Sequence, residues 1–316
     1  MAISRRAARL PREVWIASLT LAGLEAKTID ELLKRVLQRM EETLPCGPDI
    51  ICLPETFAYH GASSCAELSS MVERFGDQII AAFAAFSKQH ACHIICPIYS
   101  KRNGRIYNSA IVINRSGTVV GEYHKIHLTT DEMEAGVTPG AMPPPVFKLD
   151  FGTIGIQTCF DVNWVQGWQS LKESDAEIVF WPSAFPGGRM LNALAWMTQA
   201  YVVTSTWSAP ARVIDVTGQD LAVSDQYEHW ICAPVNLEKA FIHTWPYMDK
   251  VNALVAKYGQ KVRVAEFHDE GWAIIESFSP DISLDAALAE FHIPRHREHI
   301  RIAQQKQDQC RPPQHP

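Results

Sequence analysis

No stretch of this 316-residue sequence approaches the ~18 consecutive apolar residues that a membrane-crossing helix needs, which argues against an integral membrane protein. A basic excess is missing too. Lys and Arg number 29 against 35 Asp and Glu, for a net charge of −6, so there is no electrostatic footprint for nucleic acid or an anionic membrane surface. A small-molecule partner is the expectation that survives. The eight cysteines (Cys46, Cys52, Cys65, Cys92, Cys96, Cys159, Cys232 and Cys310) form no CxxC pair. Cys92-His93 with Cys96 has no second half for a zinc site, and the scatter does not suit a disulfide framework. Reduced thiols and a cytoplasmic setting are expected, with no metal. Arg5-Arg6 are followed by Ala7–Glu13 rather than an apolar stretch, so no export signal is expected. Linkers, internal repeats and low-complexity blocks are also lacking. The expected organisation is a basic arm over residues 1–12, one domain over 13–302 and a polar tail over 303–316.

What is present is 47% hydrophobic residues with 20% charged, enough for a sizeable core. Val14–Ala17 predicts a strand. Ile29, Leu32, Leu33, Val36, Leu37 and Met40 recur at the spacing of an amphipathic helix that ends at Pro45 and Gly47. Asp49–Leu53 predicts a buried strand stopping at Pro54-Glu55. A second helical pattern runs from Met71 to Phe83, and a strand over His93–Cys96 is expected to close at Pro97. The pattern then changes. Asn103-Gly104 and Ser116-Gly117 separate Ile98-Tyr99, Ala110–Ile113 and Thr118–Tyr123 as hairpin signals. Val146–Leu149 and Gly152–Thr158 read as another hairpin, and Ile178–Trp181 as a strand stopped by Pro182. A helix near 190–200 leads to a strand over Tyr201–Ser205. Val213–Val216 and Leu221–Val223 flank Gly218 as a further hairpin, and Leu284–Phe291 marks a late helix. Hairpins among β-α-β units predict an α/β fold of mixed sheets that pack on one another, with helices outside.

Three ionisable residues share one setting, because Glu55, Lys125 and Cys159 each follow a predicted strand, and strand ends along one sheet edge can converge. A thiol needs a base or a lowered pKa to act as a nucleophile at neutral pH. A carboxylate and an ammonium would supply that base and charge stabilisation. Singly, each has a plainer reading: Cys159 as a packed thiol, Glu55 as a helix N-terminal charge and Lys125 as a surface residue.

Together, Leu53-Pro54-Glu55, Tyr123–Leu128, Thr138-Pro139-Gly140, Gly155–Asp161 and Trp181–Ala184 resemble the successive signature blocks of the nitrilase (carbon-nitrogen hydrolase) superfamily. Order and spacing agree from about residue 12 to about residue 300. The resemblance implies a four-layer α-β-β-α sandwich and a Glu55-Lys125-Cys159 triad. It also implies an oxyanion donor at the backbone N–H of Phe160, and a second glutamate in the following loop. Glu132, seven residues past Lys125, is expected to be that glutamate, with Glu134 the alternative. No metal or organic cofactor is implied, and a homodimer or larger homo-oligomer is.

Phe160-Asp161 is more similar to the amidase and carbamoyl-amidase branches than to true nitrilases. Hydrolysis of an amide or N-carbamoyl substrate through a thioester is therefore expected, with nitrile hydrolysis the runner-up and a catalytically silent binding module the rival of another class. Tyr59, Trp164, Trp168 and Trp207 are the candidate pocket aromatics, although large aromatics more often serve the core. The pattern departs from simple amidases at Trp196–Ala200 and Ser208–Ile214, on the expected substrate side.

Overall fold

The computed structural model of the chain describes residues 10, 12–58, 65–208, 210–225 and 227–312. Residues 14–235 form one compact unit, and residues up to 13 with those from 236 onward form another.

The larger unit opens with β1 (Glu13–Leu19), α1 (Ile29–Thr43), β2 (Ile50–Cys52), α2 (Cys65–His90), β3 (His93–Arg102), β4 (Arg105–Ile113) and β5 (Val119–His124). It continues with α3 (Thr130–Glu134), β6 (Val146–Lys148), β7 (Thr153–Ile156), α4 (Val165–Glu173), β8 (Ile178–Ser183), α5 (Arg189–Thr198), β9 (Tyr201–Thr206), β10 (Arg212–Ile214), β11 (Asp220–Val223) and β12 (Trp230–Asn236). Two six-stranded sheets result, ordered β12-β1-β2-β3-β4-β5 and β11-β10-β9-β8-β7-β6. Both are mixed, as expected. β1, β2 and β3 are parallel, and so are β7, β8 and β9, while the flanking hairpins are antiparallel. Two antiparallel steps restore direction, so β5 runs the same way as β2 and its end reaches the same edge.

Side chains alternate across each strand and thereby build the layers. On the first sheet Ala17, Leu19, Ile51, Ile94, Cys96 and Ile111 pack with Leu33, Val36 and Met40 of α1 and Ile79 and Phe83 of α2. On the second, Val179, Trp181 and Val202 pack with Trp168 and Leu171 of α4 and Leu191 and Leu194 of α5. Each fully buried Leu, Ile, Val, Met or Phe among them contributes about 1.5–3 kcal/mol. The opposite faces meet, where the Ser18 hydroxyl donates to Thr204 O at 2.6 Å and the Ser205 hydroxyl to Leu19 O at 2.6 Å. This is the α-β-β-α order. Gly155 permits the close seat of α4, since a Cβ there would lie 2.7 Å from Leu171 Cδ2.

The expected proline stops are corrected. β3 runs through Pro97 and β8 through Pro182. Pro97 lies past Ile95, the last residue paired with β2, and Pro182 past Phe180, the last paired with β7. Beyond those points each strand has one neighbour, so a missing N–H costs little.

The second unit holds an antiparallel three-stranded sheet, β13 (Lys239–His243), β14 (Val262–Phe267) and β15 (Trp272–Ser277), in the order β13-β15-β14. Val251 and Leu254 of α6 (Met248–Tyr258) and Leu284, Ala287 and Leu288 of α7 (Leu284–Glu290) cover it. The segment expected as a tail from residue 303 is helical to Cys310 as part of α8 (His296–Cys310). Among the described residues no helix is long and apolar enough to cross a membrane.

Candidate active site

Glu55, Lys125 and Cys159 each leave a strand at a sharp, tethered turn. Thr56, next to Glu55, has φ 41°, and Cys159 itself has φ 48°. A non-glycine residue there costs about 1–2 kcal/mol and persists only where its surroundings hold it. Asp161 does much of that holding. Fully buried, its carboxylate accepts from Tyr123 OH at 2.5 Å and Thr158 N at 2.9 Å through one oxygen, and from His127 N and His127 Nδ1 at 2.8 Å through the other. One side chain therefore ties the turn bearing Cys159 to the segment bearing Lys125. Trp181 Nε1 adds a bond to Cys159 O at 3.1 Å.

Lys125 is fixed through its backbone, with its N–H on Asn108 O and its carbonyl accepting from Gly140 N, both at 2.8 Å. Gly140 is required, because a Cβ would lie 2.1 Å from His124 O. Glu132 is placed by a capping box. Thr129 caps Glu132 N, and the Glu132 carboxylate accepts from Thr129 N at 2.9 Å. That Thr-x-x-Glu spacing is legible in sequence and favours Glu132 over Glu134, which is exposed at the end of α3.

These turns close a ring of charged groups. Lys125 Nζ donates to Glu55 Oε1 at 2.8 Å and to Glu132 Oε2 at 2.7 Å. Asn108 Nδ2 donates to the same two carboxylates, to Glu55 Oε1 at 2.8 Å and Glu132 Oε1 at 2.7 Å. Ala184 N completes the shell of Glu55 at its Oε2, 3.0 Å away. Lys125, Glu55 and Cys159 are 1%, 4% and 7% exposed, so these charges interact in a poorly screened space. Burial opposes the Lys125 ammonium, but Glu55, Cys159 and Glu132 outweigh it and hold the pKa well above the ordinary lysine range. Burial, with Glu55, pushes the Cys159 thiol up to about 12, against the pull of Lys125, Ala184 N–H and Ser183. Burial thus favours the protonated form of Cys159, with the Glu55 carboxylate acting on it.

Two of the other buried thiols differ. Cys52 and Cys96 are raised by burial with neither carboxylate nor lysine acting on them. Cys52, Cys92, Cys96, Cys159 and Cys310 are free thiols. Phe160 occupies the first turn of the short 3-10 helix Cys159–Asn163, where an N–H has no intrahelical acceptor. Trp207 Nε1 donates to Glu55 O at 2.5 Å. With Phe57, Leu21, Leu24, Ile29 and Met71 it also lines a cleft of about 390 Å³. Trp164 stacks on His127 with ring centroids 4.1 Å apart and meets the edge of Phe160 at 5.1 Å. Trp168 is core, fully buried against α5 and β8 residues. Tyr59 lies outside the described residues. Among the described residues no group of three or more His, Cys, Asp or Glu is arranged to hold a metal.

Sequence reasoning missed Asn108 and the role of Asp161 as a tether. A buried Asn in the middle of a β-strand, Tyr107-Asn108-Ser109, was the available signal, since strands are poor in Asn.

The carbon-nitrogen hydrolase family model matches residues 16–240. The chain belongs to the carbon-nitrogen hydrolase family. Within it, this hydrolase-family chain is 30% identical to a deaminated glutathione amidase of Synechocystis, over 47% of this chain and 60% of that protein. It is 26% identical to the mouse protein of that name, over 55% of this chain and 60% of the relative. The chain thus spans about 60% of the length of these relatives. A carbon-nitrogen hydrolase from Helicobacter pylori shares the fold, with TM-score 0.66 at 17% identity over 72% of this chain and 90% of that one. An amidase from Nesterenkonia does so with TM-score 0.62 at 16% identity, over 72% and 90%.

Proposed function

We propose that the protein hydrolyses a non-peptide carbon-nitrogen bond of a small amide or N-carbamoyl compound through a thioester on Cys159. The observation that carries this reading is the buried ring in which Glu55, Lys125 and Glu132 converge beside the Cys159 turn. Glu55 takes the thiol proton as Sγ attacks the carbonyl carbon. The oxyanion is stabilised by Lys125 and the Phe160 N–H. The carbon-nitrogen bond then breaks, Glu55 returns the proton to the leaving nitrogen, and ammonia or an amine departs. Water attacks the thioester while Glu55 accepts its proton and passes it to the departing sulfur, which restores the thiol. Every proton in the cycle is thereby accounted for.

The upward push on the Cys159 thiol supports this order, because a base must act before the sulfur can. The amidase names of the relatives support an amide substrate. Glu132 holds Lys125 and needs no further role, and Trp207 and Trp164 are offered as walls of the substrate site. The same reading carries a homodimer or larger homo-oligomer working in the cytoplasm. Light scattering that returned a single 35.4 kDa species would remove the oligomer.

The test is ammonia release from a panel of amides, ureido acids and nitriles by wild type and Cys159→Ala. Turnover lost in Cys159→Ala is expected. No turnover by wild type, with Cys159 no more reactive to iodoacetamide than the other thiols, would leave the silent binding module as the better account.

A further inference from the structure

The cleft walled by Phe57 and Trp207 lies at the sheet edge that also carries the catalytic turns. β1 and β2 are parallel, and a parallel bridge between Thr20 and Thr206 links the end of β1 to the end of β9. The cleft is lined just past the C-terminal end of each of these strands, at Leu21, Phe57 and Trp207. A crevice outside the carboxyl ends of parallel strands is where α/β sheets take their ligands. Its volume of about 390 Å³ is that of a small-molecule pocket. Two features join it to the catalytic base. Phe57 stands two residues past Glu55 on the same turn, and Trp207, on the cleft wall, donates its indole N–H to Glu55 O at 2.5 Å.

The lining sets the chemistry of the occupant. Leu21, Leu24, Phe57 and Trp207 offer it an apolar wall, and Lys27 is the one charged residue on that wall among the described residues. The two carboxylates that follow Lys27 on α1 are committed elsewhere. Glu31 accepts from Arg35 Nη2 at 2.7 Å and from Lys27 N at 3.0 Å, and Asp30 accepts from Gln78 Nε2 at 2.8 Å. The exposed Lys27 ammonium thus stands over hydrocarbon without a carboxylate in contact among the described residues. We infer that the cleft binds a small carboxylate with an apolar body, aliphatic or aromatic, its hydrocarbon against Phe57 and Trp207 and its carboxylate at Lys27. Two sources share that chemistry. One is the acyl half of the substrate, a case that rests on the proposed amide hydrolysis and narrows its substrate class. The other is a separate effector that acts on the Glu55 turn through Trp207.

The test compares 3-phenylpropanoate with its neutral counterpart 3-phenylpropanol, titrated into the full-length protein by ligand-observed NMR. The carboxylate should bind wild type about two- to fivefold more tightly than the alcohol, as an exposed ion pair allows. Lys27→Met keeps the apolar stem and should remove that preference by weakening the carboxylate alone. Ala26→Trp, at an exposed position on the cleft wall, should weaken both compounds about tenfold or more by filling the pocket. Both substitutions are at exposed positions, so the fold is spared. No binding of either compound, equal affinity for the two in wild type, or affinities that neither substitution moves overturns the inference. Ammonia release in the presence of 3-phenylpropanoate then separates the sources. A raised KM at unchanged kcat marks the acyl half of the substrate site, and a changed kcat at unchanged KM marks an effector; an occupied cleft that alters neither overturns the link to Glu55. Failure of the functional reading is a separate result, since it appears as no ammonia release by wild type while the titrations still decide the site.

Discussion

Glu55→Gln tests the acid-base reasoning most directly. With the Cys159 thiol pushed up to about 12, only about one molecule in 10⁵ carries the thiolate at pH 7 without help. Glutamine cannot take the proton. It also removes the charge that raises the thiol, so part of the loss is recovered. The net expectation is a fall in turnover of about 10²–10⁴. The variant should still fold, because the glutamine carbonyl can accept from Lys125 or Asn108 while Glu132 keeps Lys125 paired. Its amide group facing Ala184 N would cost about 1–3 kcal/mol. The pH profile carries the sign. Where only pre-formed thiolate reacts, the rate rises about tenfold per pH unit up to the thiol pKa, whereas wild type, with Glu55 to take the proton, should be far less steep through neutrality. The assay is iodoacetamide alkylation of Cys159 followed by mass spectrometry from pH 6 to 10, alongside ammonia release. A variant that keeps more than a tenth of the wild-type rate, or one with a flat profile, would refute the assignment of Glu55 as the base.

Glu132→Gln should lower turnover about 10²-fold by loosening Lys125, while exposed Glu134→Gln should leave it within twofold, and the opposite ranking would reverse the choice between them. Asp161→Ala strips an acceptor from Tyr123, Thr158 and His127 and should cost about 3–5 kcal/mol, read as a lowered urea midpoint; a loss below 1 kcal/mol would deny it the tethering role. Gly140→Ala must displace the backbone just before Lys125, at about 1–3 kcal/mol, and turnover should drop tenfold or more even where the protein stays folded at the assay temperature.

Much of the larger unit was legible because its signals are local. The Leu33-Val36-Met40 stripe of α1, the Asn103-Gly104 turn between β3 and β4 and the apolar run of β8 each declare themselves within a dozen residues. The second unit was harder to read. β14 is largely exposed, and the buried runs of β13 and β15 are only three residues long, so no long apolar run marks them. Pro97 and Pro182 misled for a related reason. A proline stops a strand only if both neighbours are present, and the number of neighbours is not a property of the strand's own sequence.

The sequence alone determined which chemistry was on offer: a carboxylate, an ammonium and a thiol, each at the end of an apolar run, in the order and spacing of one family. Periodicity and turn residues are short-range physics, and they suffice for that. Only the tertiary structure decided which groups touch. Two antiparallel steps bring the end of β5 back to the sheet edge where β2 ends, Asp161 reaches from the Cys159 turn to the Lys125 segment, and Glu132 rather than Glu134 closes on the lysine. Asn108 belongs to that second class. Its carboxylate partners lie 53 and 24 residues away in the chain, so no local signal could pair them.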